Sequence, residues 1–193
     1  MSDDTAFARL VSLACHDLRT PLATVHGFAA TLAKSSGLEP PADRYVEMIE
    51  AASGQLAELI DELSLAARIE SGRYDPTRRE VDTLELARAA AERLGEERVR
   101  VTGAGAAVET DAVAVERGVA ALIQSALRHG GLDSVDVAVA GPEIRVSPVS
   151  PASAPVVLGD DLRDLGAAVA ARLVERLGGS LSVEGETLIV RLA

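Results

Sequence analysis

The sequence predicts an α+β protein in which an N-terminal antiparallel helical hairpin precedes a C-terminal α/β unit. Two observations lead to this prediction. Apolar residues recur in steps of three and four through the first third of the chain, which is typical of amphipathic helices. Short β-rich segments then alternate with helical ones in the remainder. The predicted boundaries place the hairpin at residues 1–73 and the α/β unit at residues 80–193.

The hairpin is predicted from two apolar stripes with near-heptad spacing. The first stripe lies in a helix from Asp4 to Lys34, a turn follows at Ser35 to Ala42, and the second helix ends near Arg68. The stripe members are Phe7, Val11, Ala14, Leu18, Leu22, Val25, Ala29 and Leu32, then Val46, Ile49, Ala52, Leu56, Ile60, Leu63 and Ala67. Two helices alone leave much of these stripes in water. We therefore expect a homodimer that buries them in a four-helix bundle.

The α/β unit is predicted from the change of period after residue 80. Asp82 and Glu85 have capping-box spacing, which indicates a helix that begins there. The predicted helices span residues 82–94, 111–129 and 161–177, and the predicted strands span residues 99–102, 135–139, 143–147, 180–184 and 187–192. Gly185 and Glu186 form a plausible hairpin turn between the last two strands. We expect a small sheet with helices on one face.

The composition excludes several classes of function. The 193 residues carry a net charge of −11, which argues against binding to nucleic-acid phosphates or to anionic membrane surfaces. Cys15 is the only cysteine, so the chain forms no intrachain disulfide and no cysteine metal cluster. No apolar run reaches the roughly 20 residues of a membrane span, and the first residues do not resemble a signal peptide. We expect a cytoplasmic protein with no nucleic-acid or membrane partner.

The segment HDLRTPL, residues 16–22, is the candidate reactive site. His16 lies two residues from stripe members on either side, so we expect its ring on the opposite, exposed face of the helix. Thr20 stands one turn along the same face, and Arg19 can reach a phosphate oxygen placed on the ring. Asp17 can turn towards the nearer ring nitrogen and fix the tautomer. Pro21 cannot donate a backbone hydrogen bond, so we expect the helix to loosen beyond this turn.

Four other features have simpler structural interpretations. His26 is expected to be partly buried at the edge of the first stripe. His129 ends a helix, where a cation is favourable. Cys15 fits a small buried filler better than a redox-sensitive thiol. The acidic residues within 159–164 are expected to cap a helix.

HDLRTPL resembles the H-box of two-component sensor histidine kinases, in their dimerisation and histidine-phosphotransfer domain. The resemblance extends over the whole hairpin. It implies that His16 accepts a phosphoryl group, that Asp17 assists as a base, and that Thr20 positions water for dephosphorylation of a response regulator. It also implies a homodimer whose partners are response-regulator receiver domains.

The rest of the chain resembles the ATP-binding catalytic domain of the same kinases. ALIQSALRHG, residues 121–130, is similar to the family's N-box, but Ser125 and Ala121 stand at its asparagine positions. The strand EIRV leads into SPVSPASAPVV, which lacks the family's Asp-x-Gly-x-Gly motif. The later glycine-rich box is reduced to Gly166, which is either a remnant or a packing residue. We expect a degenerate ATPase domain that has lost ATP binding, with no tightly bound cofactor and no metal site of its own.

These features lead us to expect a two-component phosphorelay protein that resembles the dimeric histidine phosphotransferases. His16 would take a phosphoryl group from a receiver-domain aspartate and pass it to another response regulator, with magnesium supplied by the receiver domain. Two alternatives stay open. A divergent sensor histidine kinase core would still bind ATP through its backbone and Ser125. A non-catalytic dimeric scaffold or inhibitor would bind a kinase or response regulator without using His16.

Overall fold

A computed structural model of the chain describes residues 3–34, 41–95 and 97–193. The chain divides into two compact units, Met1–Tyr74 and Asp75–Ala193. The helices are α1 (Asp3–Ala33), α2 (Ala42–Glu70), α3 (Thr83–Glu92), α4 (Ala112–Gly130), α5 (Ala154–Val157) and α6 (Leu165–Arg176). The strands are β1 (Arg79–Asp82), β2 (Val99–Gly105), β3 (Ala107–Thr110), β4 (Val135–Gly141), β5 (Glu143–Ser147), β6 (Ser180–Glu184) and β7 (Thr187–Arg191). Two long helices followed by a mixed α/β domain confirm the predicted α+β class.

The helices α1 and α2 form the first unit and contact each other. On each helix the contact residues recur every seven residues, at one position of the heptad. Residues 35–40, in the predicted turn between them, lie outside the described residues. The side chains described as buried along the contact are small: Ala8, Cys15 and Ala29 on α1, and Ser53 and Ala67 on α2. Half-buried Leu22, Val46 and Ile60 complete the two seven-residue series. The packing of the hairpin therefore depends on small residues at regular intervals.

Several large members of the predicted stripes are exposed in the single chain, as expected for a hairpin that leaves much of its stripes in water. Leu18 is 54% exposed and Leu56 is 52% exposed. The exposed members are Leu18, Val25 and Leu32 on α1, and Ile49, Ala52, Leu56 and Leu63 on α2. Except for Ala52, each lies three residues after a contact position, so these residues share one side of the hairpin, which we call the apolar flank. For Phe7 and Ala14 only the backbone is described.

Cys15 is a small buried filler, as predicted. Its side chain is 1% exposed, and this burial raises the pKa of the thiol. The nearby Arg19 guanidinium opposes the shift and the Asp61 carboxylate adds to it. Cys15 is therefore held as a neutral thiol inside the helix contact.

The second unit begins with the capped helix α3. The Asp82 carboxylate accepts hydrogen bonds from the backbone N–H groups of Leu84 (2.7 Å) and Glu85 (3.4 Å), which confirms the predicted N-cap. The adjacent Thr83 is fully buried. Its hydroxyl donates to the Gly141 carbonyl (2.6 Å) and accepts from the Ala106 N–H (3.0 Å). This hydroxyl joins the start of α3 to two turns of the sheet region.

Within residues 97–193, which are described without a gap, five strands form one sheet in the order β2-β4-β5-β7-β6. The β2–β4 pair is parallel, and the other neighbours are antiparallel. One face carries the buried residues Val137, Val139, Ile144, Val146, Leu188 and Val190. The buried faces of α3, α4 and α6 belong to the same core. The β6–β7 hairpin turns at Gly185, whose φ of 58° requires the left-handed region that glycine adopts readily.

The sequence did not predict three elements of this unit. Strands β1 and β3 pair antiparallel, but each has only four residues and little apolar character. Helix α5 lies in the proline-rich segment that we expected to be a loop; Pro155 fits there because the first helical turn needs no N–H donor. The predicted start of the next helix at Asp161 is also wrong. Asp164 is the N-cap of α6, and its carboxylate accepts from the Ala167 N–H (3.1 Å).

Across the described residues, no helix has the length and apolar character that a membrane-spanning segment requires.

We predict that Thr83→Val destabilises the second unit by about 1–3 kcal/mol, because it leaves the half-buried Gly141 carbonyl and Ala106 N–H without their partner. Urea unfolding followed by circular dichroism measures this change. The control is Thr83→Ser, which keeps the hydroxyl and loses one methyl group. Equal unfolding midpoints for the two variants would contradict the role assigned to this hydroxyl.

We predict that alkylation of Cys15 by iodoacetamide needs a higher pH in the folded chain than in the urea-unfolded chain. Because burial raises the pKa of the thiol, the folded chain contains less of the reactive thiolate at any given pH. Mass spectrometry of the alkylated chain between pH 7 and pH 10 measures both profiles without interference from other thiols. Superimposable profiles would show that the thiol is freely accessible.

Candidate functional site

His16 projects from α1 into solvent, with a side chain that is 77% exposed. Its Nδ1 atom lies 3.1 Å from Asp17 Oδ1. An ionised carboxylate only accepts hydrogen bonds, so the ring must donate from Nδ1. The second ring nitrogen, Nε2, then carries the lone pair, and the structure gives it no hydrogen bond to any described residue. The contact with Asp17 thus leaves an exposed imidazole with its nucleophilic nitrogen free.

Arg19 lies one turn from His16 and is bound across the hairpin. Its Nη2 atom donates to Asp61 Oδ1 on α2 at 2.9 Å, and both side chains are about half exposed. The sequence placed Arg19 near the ring but gave no indication of Asp61, which lies 42 residues further along the chain. A guanidinium has five N–H donors, so this one hydrogen bond leaves others for an anion.

A shallow depression of about 540 Å³ lies beside the imidazole. It is lined by His16, Arg19, Thr20, Ala23 and Thr24. The structure therefore brings His16, Arg19 and Thr20 to one surface, and Asp17 contacts the ring directly. Thr24 was not identified from the sequence; its hydroxyl donates to the Thr20 carbonyl (3.1 Å). Helix α1 continues through Pro21, and the expected loosening there stays a prediction.

The other two histidines have partners within their own units. His26 is half-buried, as predicted, and its Nδ1 lies 2.9 Å from the Ser53 hydroxyl. Because Ser53 donates its proton to the Glu50 carbonyl, the histidine is the donor in this contact. His129, at the end of α4, has a role that the sequence did not indicate. Its Nε2 lies 3.2 Å from the Asp164 carboxylate at the start of α6.

Two positions of the second unit, Ser125 and Asp164, bear on whether it can hold a nucleotide. Ser125, at the position of a magnesium-holding asparagine, is fully buried on α4. Its hydroxyl has no hydrogen-bond partner among the described residues. A metal ion with its water ligands would not reach a hydroxyl enclosed in this way.

The start of α6 presents a negative charge instead of an anion site. Helix N-termini favour anions because their N–H groups are free. Here the buried Asp164 carboxylate already occupies that position and is paired with Arg128 (3.5 Å) as well as with His129. The residues present at Ser125 and Asp164 therefore do not fit a magnesium-bound nucleotide.

The segment between β5 and α6 is packed into the core. Val149, Val156 and Val157 are each at most 1% exposed. The Val149 N–H donates to the Glu186 carbonyl in the β6–β7 turn (2.7 Å), and the hydroxyls of Ser150 and Ser153 contact each other. Over the described part of the chain, no group of three or more His, Cys, Asp or Glu side chains is arranged to hold a metal ion.

The hairpin is similar to a known domain family. Residues 8–72 match the family model of the His Kinase A (phospho-acceptor) domain. The sensor histidine kinase TrcS of Mycobacterium tuberculosis is 33% identical over 73 residues, which is 37% of this chain and 14% of that protein. The chain thus spans only a small part of this curated relative.

Two solved structures share the fold. Full-length ShkA in complex with AMPPNP matches 96% of this chain and 46% of its own chain, with a TM-score of 0.69 and 18% identity. The histidine kinase AdeS of Acinetobacter baumannii matches 92% of this chain and 97% of its own, with a TM-score of 0.55 and 16% identity. The hairpin is thus similar to a phospho-acceptor domain, and nearly the whole chain shares the fold of these two structures.

Proposed function

We propose that this protein is a phosphorelay component, a histidine phosphotransferase rather than an ATP-dependent autokinase. His16 takes a phosphoryl group from a receiver-domain aspartate and passes it to another response regulator. The observation that carries the proposal is the geometry of His16: an exposed ring whose Nδ1 is bonded to Asp17 and whose Nε2 faces outward. A match to a phospho-acceptor domain over the same helices supports this role.

The transfer requires only groups that this site and a receiver supply. The Nε2 lone pair attacks the phosphorus of the receiver's aspartyl phosphate. A P–N bond forms while the P–O bond breaks, and the aspartate carboxylate leaves with the electron pair. Because the Nδ1 proton is bonded to Asp17, Nε2 carries no proton that must first be removed. In the second transfer a different aspartate carboxylate attacks the phosphorus, and Nε2 is the leaving group.

The neighbours of His16 have complementary roles in this proposal. The Arg19 guanidinium stabilises the charge of the transferring phosphoryl oxygens. Asp17 holds the tautomer and stabilises the positive charge that the ring acquires during attack. Thr20 lines the same depression, and in this proposal it positions a water near a bound receiver.

A homodimer is compatible with an accessible His16. Residues advance by about 100° around a helix, so His16 lies about 100° from Cys15 on one side while Leu18 lies about 60° away on the other. On α2, Leu56 lies about 60° around the helix axis from Ser53, and Asp61 lies about 80° from it in the opposite direction. The exposed residues of the apolar flank would pack against a second copy in a four-helix bundle. Such a bundle leaves the His16 side of the hairpin open to receiver domains.

The absence of autophosphorylation in this proposal is supported by the second unit. Ser125 is enclosed, and Asp164 places a paired carboxylate where phosphate groups would need a free helix N-terminus. A relay does not need these groups, because we expect the receiver domain to supply both the magnesium ion and the acceptor aspartate. The α/β unit is then available as a surface for binding the partner.

A second candidate function is a divergent ATP-dependent histidine kinase. The observation that favours it is the fold, because the chain matches ShkA over 96% of its length and that structure is a complex with AMPPNP. The two candidates differ in the phosphoryl donor, which makes them separable by experiment.

We predict that purified receiver domains phosphorylated with acetyl [³²P]phosphate label His16, and that [γ-³²P]ATP does not. Gel autoradiography after each incubation measures the transfer. His16→Gln should abolish labelling. His26→Gln is the matched control, because it changes a histidine of the same helix that lies away from the depression.

Each outcome discriminates between the candidates. Label from ATP on His16 would favour the kinase. Label that persists in His16→Gln would exclude His16 as the acceptor. No label from either donor, with binding to a receiver retained, would favour a scaffold.

We predict that the phosphoryl group is attached to Nε2 of His16, because Asp17 occupies the Nδ1 proton. Phosphoramidate, a small phosphoryl donor, allows this test without a partner protein. Heteronuclear NMR of the phosphorylated, ¹⁵N-labelled chain identifies the P–N linkage. Asp17→Ala should give a mixture of the two ring isomers, since nothing then fixes the tautomer. A wild-type product linked through Nδ1 would contradict this assignment.

A further inference from the structure

We propose that Asp61 of α2 is a positioning residue for phosphorylation of His16: it holds the Arg19 guanidinium in the depression beside the imidazole. The inference rests on the proposed role of His16 as a phosphoryl acceptor. It adds a residue from the second helix of the hairpin to a site whose other members all lie on α1.

The position of Asp61 fits this role. It lies eight residues after Ser53, about 80° around α2 from the helix contact, and thus on the side opposite the apolar flank. The hydrogen bond to Arg19 (2.9 Å) shows that His16 and Asp61 share one side of the hairpin. The Arg19 guanidinium lowers and the Asp61 carboxylate raises the pKa of the Cys15 thiol. Because Cys15 directly precedes His16 in the chain, both charges act close to the imidazole.

The strength of the ion pair also favours positioning over stabilisation of the fold. Arg19 is 50% exposed and Asp61 is 49% exposed, and an exposed pair of this kind contributes little to folding stability. A long arginine side chain without a partner samples many rotamers. Asp61 engages a single terminal nitrogen in the structure, so it restricts those rotamers and leaves other N–H donors for phosphoryl oxygens.

The test uses phosphoramidate as the donor. In this reaction Nε2 of His16 attacks the phosphorus of phosphoramidate and forms a new P–N bond. The bond between phosphorus and the donor's own nitrogen breaks, and that nitrogen takes up a proton from water and leaves as ammonia. ³¹P NMR follows phosphohistidine formation in the full chain. The variants are Asp61→Asn, Asp61→Glu, Arg19→Ala and the double variant Arg19→Ala/Asp61→Asn. The matched control is Glu58→Gln, which removes an exposed carboxylate one turn away on α2.

The sign of the effect separates positioning from simple electrostatics. Removing a carboxylate near the site should by charge alone accelerate reaction with an anionic donor, and Glu58→Gln should leave the rate unchanged or slightly higher. Positioning predicts the opposite for Asp61→Asn: about a two- to fivefold slower reaction, the range that an exposed ion pair can supply. Asp61→Glu should recover most of the rate. The double variant should be no slower than Arg19→Ala, because Asp61 acts through Arg19.

A rate for Asp61→Asn equal to or above that of the wild type would overturn the inference and leave the role of His16 intact. A double variant slower than Arg19→Ala would show that Asp61 acts by another route and would also overturn it. No phosphohistidine at His16 in the wild type would instead overturn the proposed function, and the inference with it. Circular dichroism of each variant verifies that the helices are retained.

Discussion

The contact between α1 and α2 passes through small side chains at one heptad position of each helix, and the rest of the hairpin follows from this constraint. Cys15 and Ser53 are fully buried, so no large residue is needed between the helices at these points. Of the bulky residues, Leu22, Val46 and Ile60 are half-buried at contact positions, and the exposed leucines and Ile49 of the apolar flank lie beside the contact. The residue that follows Cys15 is His16, and its position next to a buried residue fixes the direction in which the imidazole leaves the helix.

The same constraint divides the hairpin into two chemically different sides. One side is apolar and its described residues are exposed, whereas the other carries His16, Arg19, Thr20 and Asp61. In the proposed homodimer, association through the first side and phosphoryl transfer on the second would not compete for the same surface. In the α/β unit one buried carboxylate has several partners, because Asp164 is at once a helix cap and the partner of His129 and Arg128.

Local sequence patterns predicted the features that depend on local geometry. Asp82 caps α3, Gly185 turns the last hairpin, and His16 is exposed, because each depends on residues within one or two turns. Spacing alone could not decide which stripe members the hairpin buries within one chain and which it leaves exposed, as it does Leu18. The ion pair of Arg19 with Asp61 joins two helices, and no periodicity indicates it.

The α/β unit was harder to predict where its elements are short. Helix α5 was missed because the three prolines around it favour a loop, although Pro155 is compatible with a first helical turn. The start of α6 was placed four residues early, at Asp161 instead of Leu165, because several acidic residues near it are equally good capping candidates. The local cap bond from the Ala167 N–H and the tertiary contact with His129 select Asp164 among them.

The paired carboxylate at the start of α6 has a consequence for how such a relay works in a cell. A protein that fills this position with its own side chain needs no bound nucleotide to order that end of the domain. In the proposed relay, the rate of phosphoryl transfer then depends on the concentration of phosphorylated donor proteins and not directly on the ATP concentration of the cell. Signal strength would be set by the upstream protein alone.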